Sequence, residues 1–361
     1  MKYAPNWRSA GVVPPRQPDM NFPLLFVTLV AGTALAGDFV PQKPADLLDP
    51  QPLALSYSGF RRGQYPDRGQ GAKNPSRKEI LEDLRLLSGP AGIRLIRVYD
   101  CRENSRTVLE LIRSEKLPLK VMLGAWLNAE ISQHETCDWI KIPVPKEVLA
   151  ANRKGNEEEV KRAIALAKEF PDVVAAVNIG NETLVDWNDH RLSVERLAGF
   201  LRQAREALPQ PVTTAENYAA WVRYAKELAG VVDFAGVHTY PIWEKKTLSQ
   251  SMAFTLENLT AVQQALPGIP IAIAEAGWAT TASEFPEEAN EKKQARYFKD
   301  LLEWAGKNHV TVFWFEAFDE DWKGDPNNPQ GAEKHWGLYD LDRKPKLAAR
   351  EVLPGLIKTK K

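Results

Sequence analysis

Only two cysteines, Cys101 and Cys137, and five scattered histidines occur in the 361 residues. That scarcity excludes a disulfide-dense scaffold and a metal centre built on paired Cys/His motifs. The one cluster of ligand types, HETCD at 134–138, has no second group at a fitting spacing, so no metal and no cofactor are expected. Net charge is lacking too, because Lys plus Arg and Asp plus Glu number 47 each. Such a balance gives no reason to expect nucleic acid or an anionic membrane surface as partner. The apolar run from Phe22 to Ala36 falls short of the roughly 20 residues that cross a bilayer. No G-x-S-x-G elbow presents a nucleophilic serine. Nor does a Gly-rich phosphate turn follow the first apolar run, where SYSGFRRGQ stands instead.

What the chain does have is apolar mass and tryptophan. Hydrophobic residues make up 44 % and tryptophans number 11, most of them at the ends of apolar runs. Near the N-terminus, NFPLLFVTLVAGTALAGDFV ends its apolar stretch in Ala34-Leu35-Ala36, a small-x-small cleavage pattern. Residues 1–37 therefore read as a signal peptide or an N-terminal anchor. Translation starts either at Met1, with Lys2, Arg8 and Arg16 as the basic segment, or at Met20. Export to the periplasm or outside the cell is expected. It would permit a Cys101–Cys137 disulfide, the other reading being two thiols. The Pro-rich stretch 38–52 reads as a linker, leaving 53–361 as a single domain, expected to be monomeric.

Within that domain, short apolar or β-branched runs stand at 53–60, 93–100, 119–127, 173–182, 211–218, 232–243, 269–278 and 310–318. Helical periodicity fills the gaps. Ser76 and Glu79 form a capping-box pattern before RKEILEDLRLL, and NEEEVKRAIALAKEF and SVERLAGFLRQAREAL follow the same periodicity. Further helical stretches fall near 105–116, 219–229, 250–266, 287–306 and 346–358. Eight strand–helix units with continuous rather than alternating hydrophobicity predict a (β/α)8 barrel, with a doubly wound open sheet as the alternative.

Catalytic side chains of such barrels sit at the C-terminal ends of the strands. Those ends carry Tyr57, Tyr99, Trp126, Asn181 and Glu182, Glu216 and Asn217, His238 and Tyr240, Glu275 and Trp278, then Glu316, Asp319 and Glu320. Acids and amides beside aromatic rings suit a neutral, hydroxyl-rich ligand such as a sugar. Glu182 and Glu275 end the fourth and seventh runs, on opposite sides of a closed barrel mouth. Retaining glycoside hydrolysis needs such a pair, with carboxyls about 5–5.5 Å apart.

NIGNE at the fourth run and IAEAGWA at the seventh resemble the acid/base and nucleophile motifs of glycoside hydrolase family 17. FEAFDEDWKG (315–324) and EKHWGLYDLDRKPK (333–346) resemble its C-terminal signatures, in the fungal-wall and bacterial branch more than in plant laminarinases. LSYSGF, IRVYD and VHTYPIW match as well, so the resemblance covers about 53–346. It implies Glu182 as acid/base, Glu275 as nucleophile and Asn181 as partner of a sugar hydroxyl. Tyr57, Tyr99, Tyr240, Trp278, Glu316 and Lys323 would line the subsites, with Trp126 at the third strand end. It also implies β-1,3-glucan as substrate, acted on with retention by hydrolysis or glucanosyl transfer. The short connection after Trp243 leaves no room for the extra subdomain of plant endoglucanases, so the acceptor side should be short, with Trp278, Trp322 and Trp336 near it. The alternatives are a barrel acting on β-1,6- or β-1,4-glucan and a noncatalytic glycan-binding barrel.

Overall fold

Aliphatic runs too short for helices pair side by side, and the amphipathic segments between them cover the outer surface. The computed structural model describes residues 53–67, 71–137 and 140–353. The expected signal segment, the linker and the end of the last predicted helix lie outside them. Among the described residues no helix is long and apolar enough to cross a membrane.

The strands are β1 (Leu53–Ser56), β2 (Leu95–Arg97), β3 (Lys120–Ala125), β4 (Val174–Asn181), β5 (Val212–Asn217), β6 (Ala235–His238), β7 (Ile271–Ala276) and β8 (Val312–Trp314). All pair in parallel in sequence order, and β8 returns to β1 to close the barrel. The open-sheet alternative is thereby removed. Around the barrel run α1 (Arg77–Ser88), α2 (Glu103–Ser114), α3 (Lys146–Glu169), α4 (Val194–Ala207), α5 (Tyr218–Arg223), α6 (Ala225–Leu228), α7 (Leu248–Ala265), α8 (Glu291–Asn308) and α9 (Leu347–Val352).

Local chemistry sets several of these boundaries. Ser76 and Glu79 close the capping box that opens α1. α3 begins ten residues before the predicted NEEEV segment. Pro145 stands at its N-cap, and KEVLAANRKG is rich enough in helix formers to carry the helix through Gly155.

Ala54, Leu95, Met122, Ala176, Phe234, Ala272 and Phe313 form a separate buried cluster at the strand starts that fills the barrel interior. Two residues further along their strands, Ser56, Arg97 and Asn178 replace apolar side chains and remain buried. The change from oil to polar groups marks the approach to the mouth.

Two irregularities shape that mouth. Along β4 the pairing with β5 slips between Asn178 and Asn181, where Gly180 has φ +81°. Along β7 the pairing with β6 slips so that His238 meets Glu275 rather than Ala274. Ile271 and Ile273 face the helix layer, so strict alternation would send Glu275 there too. The extra residue turns it to the axis, as bulges beside active sites do.

Candidate active site

At the mouth Glu182 directly follows β4 and Glu275 lies in β7. Between them stands His238, wholly buried, with Nδ1 2.9 Å from Glu182 Oε1 and 3.5 Å from Glu275 Oε2. Those two distances set both carboxyls against one imidazole nitrogen. On the other edge of the ring, Nε2 lies 3.3 Å from Arg97 Nη1. Nδ1, at hydrogen-bond distance from a carboxylate oxygen, is placed to carry a proton facing Glu182.

Glu275 is held on all sides. Arg97 Nη1 donates to its Oε1 at 2.8 Å, Tyr99 donates to Oε1 at 2.9 Å and Tyr240 to Oε2 at 2.7 Å. Burial alone would raise its pKa. The pull of His238 and of Arg97, and the hydrogen bonds from Tyr240 and Tyr99, outweigh burial and leave the carboxyl below its ordinary value. Both phenols move well above theirs, through burial and the charge of Glu275, and so remain donors. The Glu275 carboxylate is thus kept ionised although it is buried.

Asn181 stands beside it. Arg97 Nη2 donates to Asn181 Oδ1 at 2.5 Å, and His190 Nε2 meets the Asn181 carbonyl at 2.8 Å. Glu182 is more open, its side chain 23 % exposed, and its backbone is left-handed at φ +51°.

Glu316, Glu320 and Lys323 form a second charged group after β8. Lys323 Nζ lies 2.5 Å from Glu316 Oε2 and 2.9 Å from Glu320 Oε2, and Ser58 donates to Glu320 at 2.7 Å. Two carboxyls share one ammonium. Burial, only partly countered by Lys323, pushes Glu316 well above its usual range, and Glu316 Oε1 is buried without a partner. Burial would lower Lys323, but Glu316 and Glu320 outweigh it and raise its pKa. The half-buried Glu333 lies nearby, pushed up to about 7 by burial and by the like charges of Glu284, Glu275 and Glu182.

The expected aromatic subsites divide. Tyr99, Trp126, Tyr240 and Trp322 keep part of their surface open. Trp126 lies against the His190 ring at 4.6 Å, and Lys323 lies 4.3 Å over the Phe315 ring and 5.6 Å over that of Trp322. Trp278 does not line the cleft. It has no exposed surface, packs on Tyr297 and donates its Nε1–H to the Glu288 carbonyl. Tyr57 is likewise buried, edge-on to Phe318, among the charges of Asp83, Arg343 and Arg61 on the α1 side. Trp336 is 1 % exposed and packs beneath Tyr240, Trp243 and Phe315. All three belong to the layer that supports the mouth.

The Cys101–Cys137 disulfide is also not formed. The Cys101 thiol donates to the Gly124 carbonyl at 2.9 Å and the Cys137 thiol to that of Trp187 at 3.4 Å. Each sits buried in its own place. Arg97 is the principal site residue that the sequence reading passes over. Its signal was an arginine two places after Leu95 in IRLIRVYD, on the inward phase of the strand.

Known proteins share sequence and fold with this chain. A family model described as the BtgE/BtgC glycoside hydrolase domain matches residues 54–337. A protein of Arthroderma benhamiae named glucan 1,3-beta-glucosidase is 29 % identical over 277 residues, 70 % of this chain and 79 % of that protein. One of the same name from Schizosaccharomyces pombe is 28 % identical, over 48 % of this chain and 56 % of its own length. Several longer Aspergillus relatives are matched over about 40 % of their length. Among solved structures, an endo-laminarinase from Formosa superposes with a TM-score of 0.71 at 25 % identity, covering 86 % of this chain and 90 % of that one. A family 17 β-1,3-glucanosyltransferase from Rhizomucor miehei shares the fold with a TM-score of 0.62 at 19 % identity, over 82 % and 95 %.

Proposed function

The chain belongs to the family of the BtgE/BtgC glycoside hydrolase domain, and on that premise we propose that it acts on β-1,3-glucan with retention, by hydrolysis and glucanosyl transfer. The observation that carries this reading is His238 Nδ1, within 2.9 Å of Glu182 and 3.5 Å of Glu275. That spacing supports nucleophilic attack from one carboxylate and proton transfer from the other. The substrate class rests on the names of the relatives and on the open acidic-aromatic mouth. Residues 1–37 are proposed to direct export and 38–52 to link that segment to the barrel.

In the first step the Glu275 carboxylate attacks the anomeric carbon. The glycosidic C–O bond breaks, and Glu182 gives its proton to the departing oxygen. In the second, Glu182 takes a proton from the incoming hydroxyl, whose oxygen displaces Glu275. Water gives hydrolysis and a sugar hydroxyl gives transfer. Water stands at about 55 M, so transfer requires an acceptor held near the anomeric carbon, where effective molarity exceeds that value. The short connection from β6 to α7, which begins at Leu248, supports a short acceptor side.

Laminaripentaose at millimolar concentration should give products both longer and shorter than itself. Glu275→Ala should abolish both. Glu182→Gln should slow both, with recovery on an aryl glycoside whose leaving group needs no proton. Shorter sugars alone at every concentration would remove transfer, and an active Glu275→Ala would remove the mechanism.

A further inference from the structure

We propose that Glu216 is a positioning residue for the proton-transfer step, fixing the main chain that carries Glu182. The proposal rests on the reading of Glu182 as acid/base.

Glu216 lies on β5, next to the strand that Glu182 directly follows, and has no exposed surface. Its Oε1 accepts from Thr183 N at 2.8 Å and from Thr183 Oγ1 at 2.7 Å, and its Oε2 from Leu184 N at 3.2 Å. The residue before it completes the hold, since Glu182 N donates to the Ala215 carbonyl at 2.7 Å. Residues 182, 183 and 184 thus all hang from Ala215 and Glu216. From the far side, Leu192 N donates to the Thr183 carbonyl at 3.0 Å.

Glu182 needs such a hold. At φ +51° it occupies a left-handed conformation that is costly for a residue with a long side chain. Left to itself the segment would relax toward ordinary extended backbone and swing the carboxyl away from His238. A buried carboxyl is itself unfavourable unless its oxygens are used, and here three donors use them. No hydrogen bond joins the group to Glu275, Tyr99, Tyr240 or Arg97, so its influence on chemistry runs through Glu182.

With or without its proton the carboxyl can accept at both oxygens, whereas glutamine has one acceptor oxygen and an NH2 that only donates. Glu216→Gln therefore sets an NH2 group against an N–H donor, at Thr183 or at Leu184, with little change in volume. Misplacing a catalytic group by about an ångström can cost on the order of 10²-fold. The expected loss in kcat/KM on laminaripentaose, whose sugar leaving group needs a proton, is of that order. On 2,4-dinitrophenyl β-laminaribioside, which departs without one, kcat/KM should be nearly unchanged. Glu216→Asp, with two acceptor oxygens on a shorter arm, should recover part of the loss. Thr183→Val, which removes one of the three donors, should show the same split more weakly and serves if the Gln variant does not fold.

Equal losses on both substrates, or none on either, would overturn the proposal. Glu182→Gln is measured alongside. If it fails to separate the two substrates, the assignment of Glu182 is at fault. If it separates them and the Glu216 and Thr183 variants do not, only the positioning role falls.

Discussion

At the scale of single residues, the site depends on a charge the solvent never reaches. Arg97 has no exposed surface, yet it touches Glu275, Asn181 and the Ala274 carbonyl and lies 4.5 Å over the Tyr99 ring. Removing one partner of a buried ion pair typically costs about 3–5 kcal/mol, because the other charge is left without compensation. Arg97→Met should therefore lower stability by about that amount in urea unfolding. Glu275 would lose a large part of the attraction that opposes its burial, so its pKa should rise. The acid limb of kcat/KM should then move to higher pH, and an unmoved limb would show that Arg97 does not hold the charge of Glu275. Glu182 and Glu275 were legible as candidates because each breaks an apolar run at a strand end. Arg97 was less so, since a charged residue inside a strand run announces its inward direction only once the barrel's phase is known. Trp278 and Tyr57 misled for the converse reason. An aromatic next to a strand end can turn to the helix layer as readily as to the cleft, and sequence does not carry that choice.

At the scale of elements, order and type were readable and the irregularities were not. Continuous apolar runs separated by helical periodicity gave eight strands in a closed ring, because parallel strands covered by helices are buried on both faces. The slips in β4 and β7 left no comparable mark, although they set the directions of Glu182 and Glu275. Gly180 is the one trace, since a left-handed residue in a strand favours glycine. A Cβ there would stand 3.1 Å from Thr183 Cγ2 and 3.3 Å from Leu197 Cδ1, at φ +81°. Left-handed backbone costs an L residue roughly 1–2 kcal/mol, and those contacts add to it. Gly180→Ala should thus lower the melting temperature by several degrees and reduce turnover more than binding, because Thr183 follows Glu182 directly. Thermal melts and Michaelis kinetics on laminaripentaose check both. A variant with normal turnover would mean that the β4 bulge does not aim Glu182.

At the scale of the whole molecule, the net charge of zero conceals an uneven distribution. Acids collect at the barrel mouth and several are buried there. Burial pushes Glu216 up to about 8, with the like charge of Glu182 adding to it, and pushes Glu333 up to about 7. Burial raises Glu159 and Glu244 as well. In the folded chain these groups keep protons that the unfolded chain releases in the ordinary carboxylate range. Where the native state binds more protons, stability falls as pH rises. Their contribution is complete below the ordinary carboxylate pKa and is lost through about 7 for Glu333 and about 8 for Glu216. Glu275 has the opposite sign, but its lowered pKa confines its effect to more acid solution. Melting temperature should therefore decline steadily from about pH 5 to about pH 8. Glu333→Gln removes one of these groups, and it should flatten the lower part of that decline while leaving the step toward pH 8 in place. A melting temperature that is level or rising across this range would mean that Glu216 and Glu333 are ionised in the folded protein, with the three donors on Glu216 and the charge of Lys323 beside Glu333 compensating their burial in full.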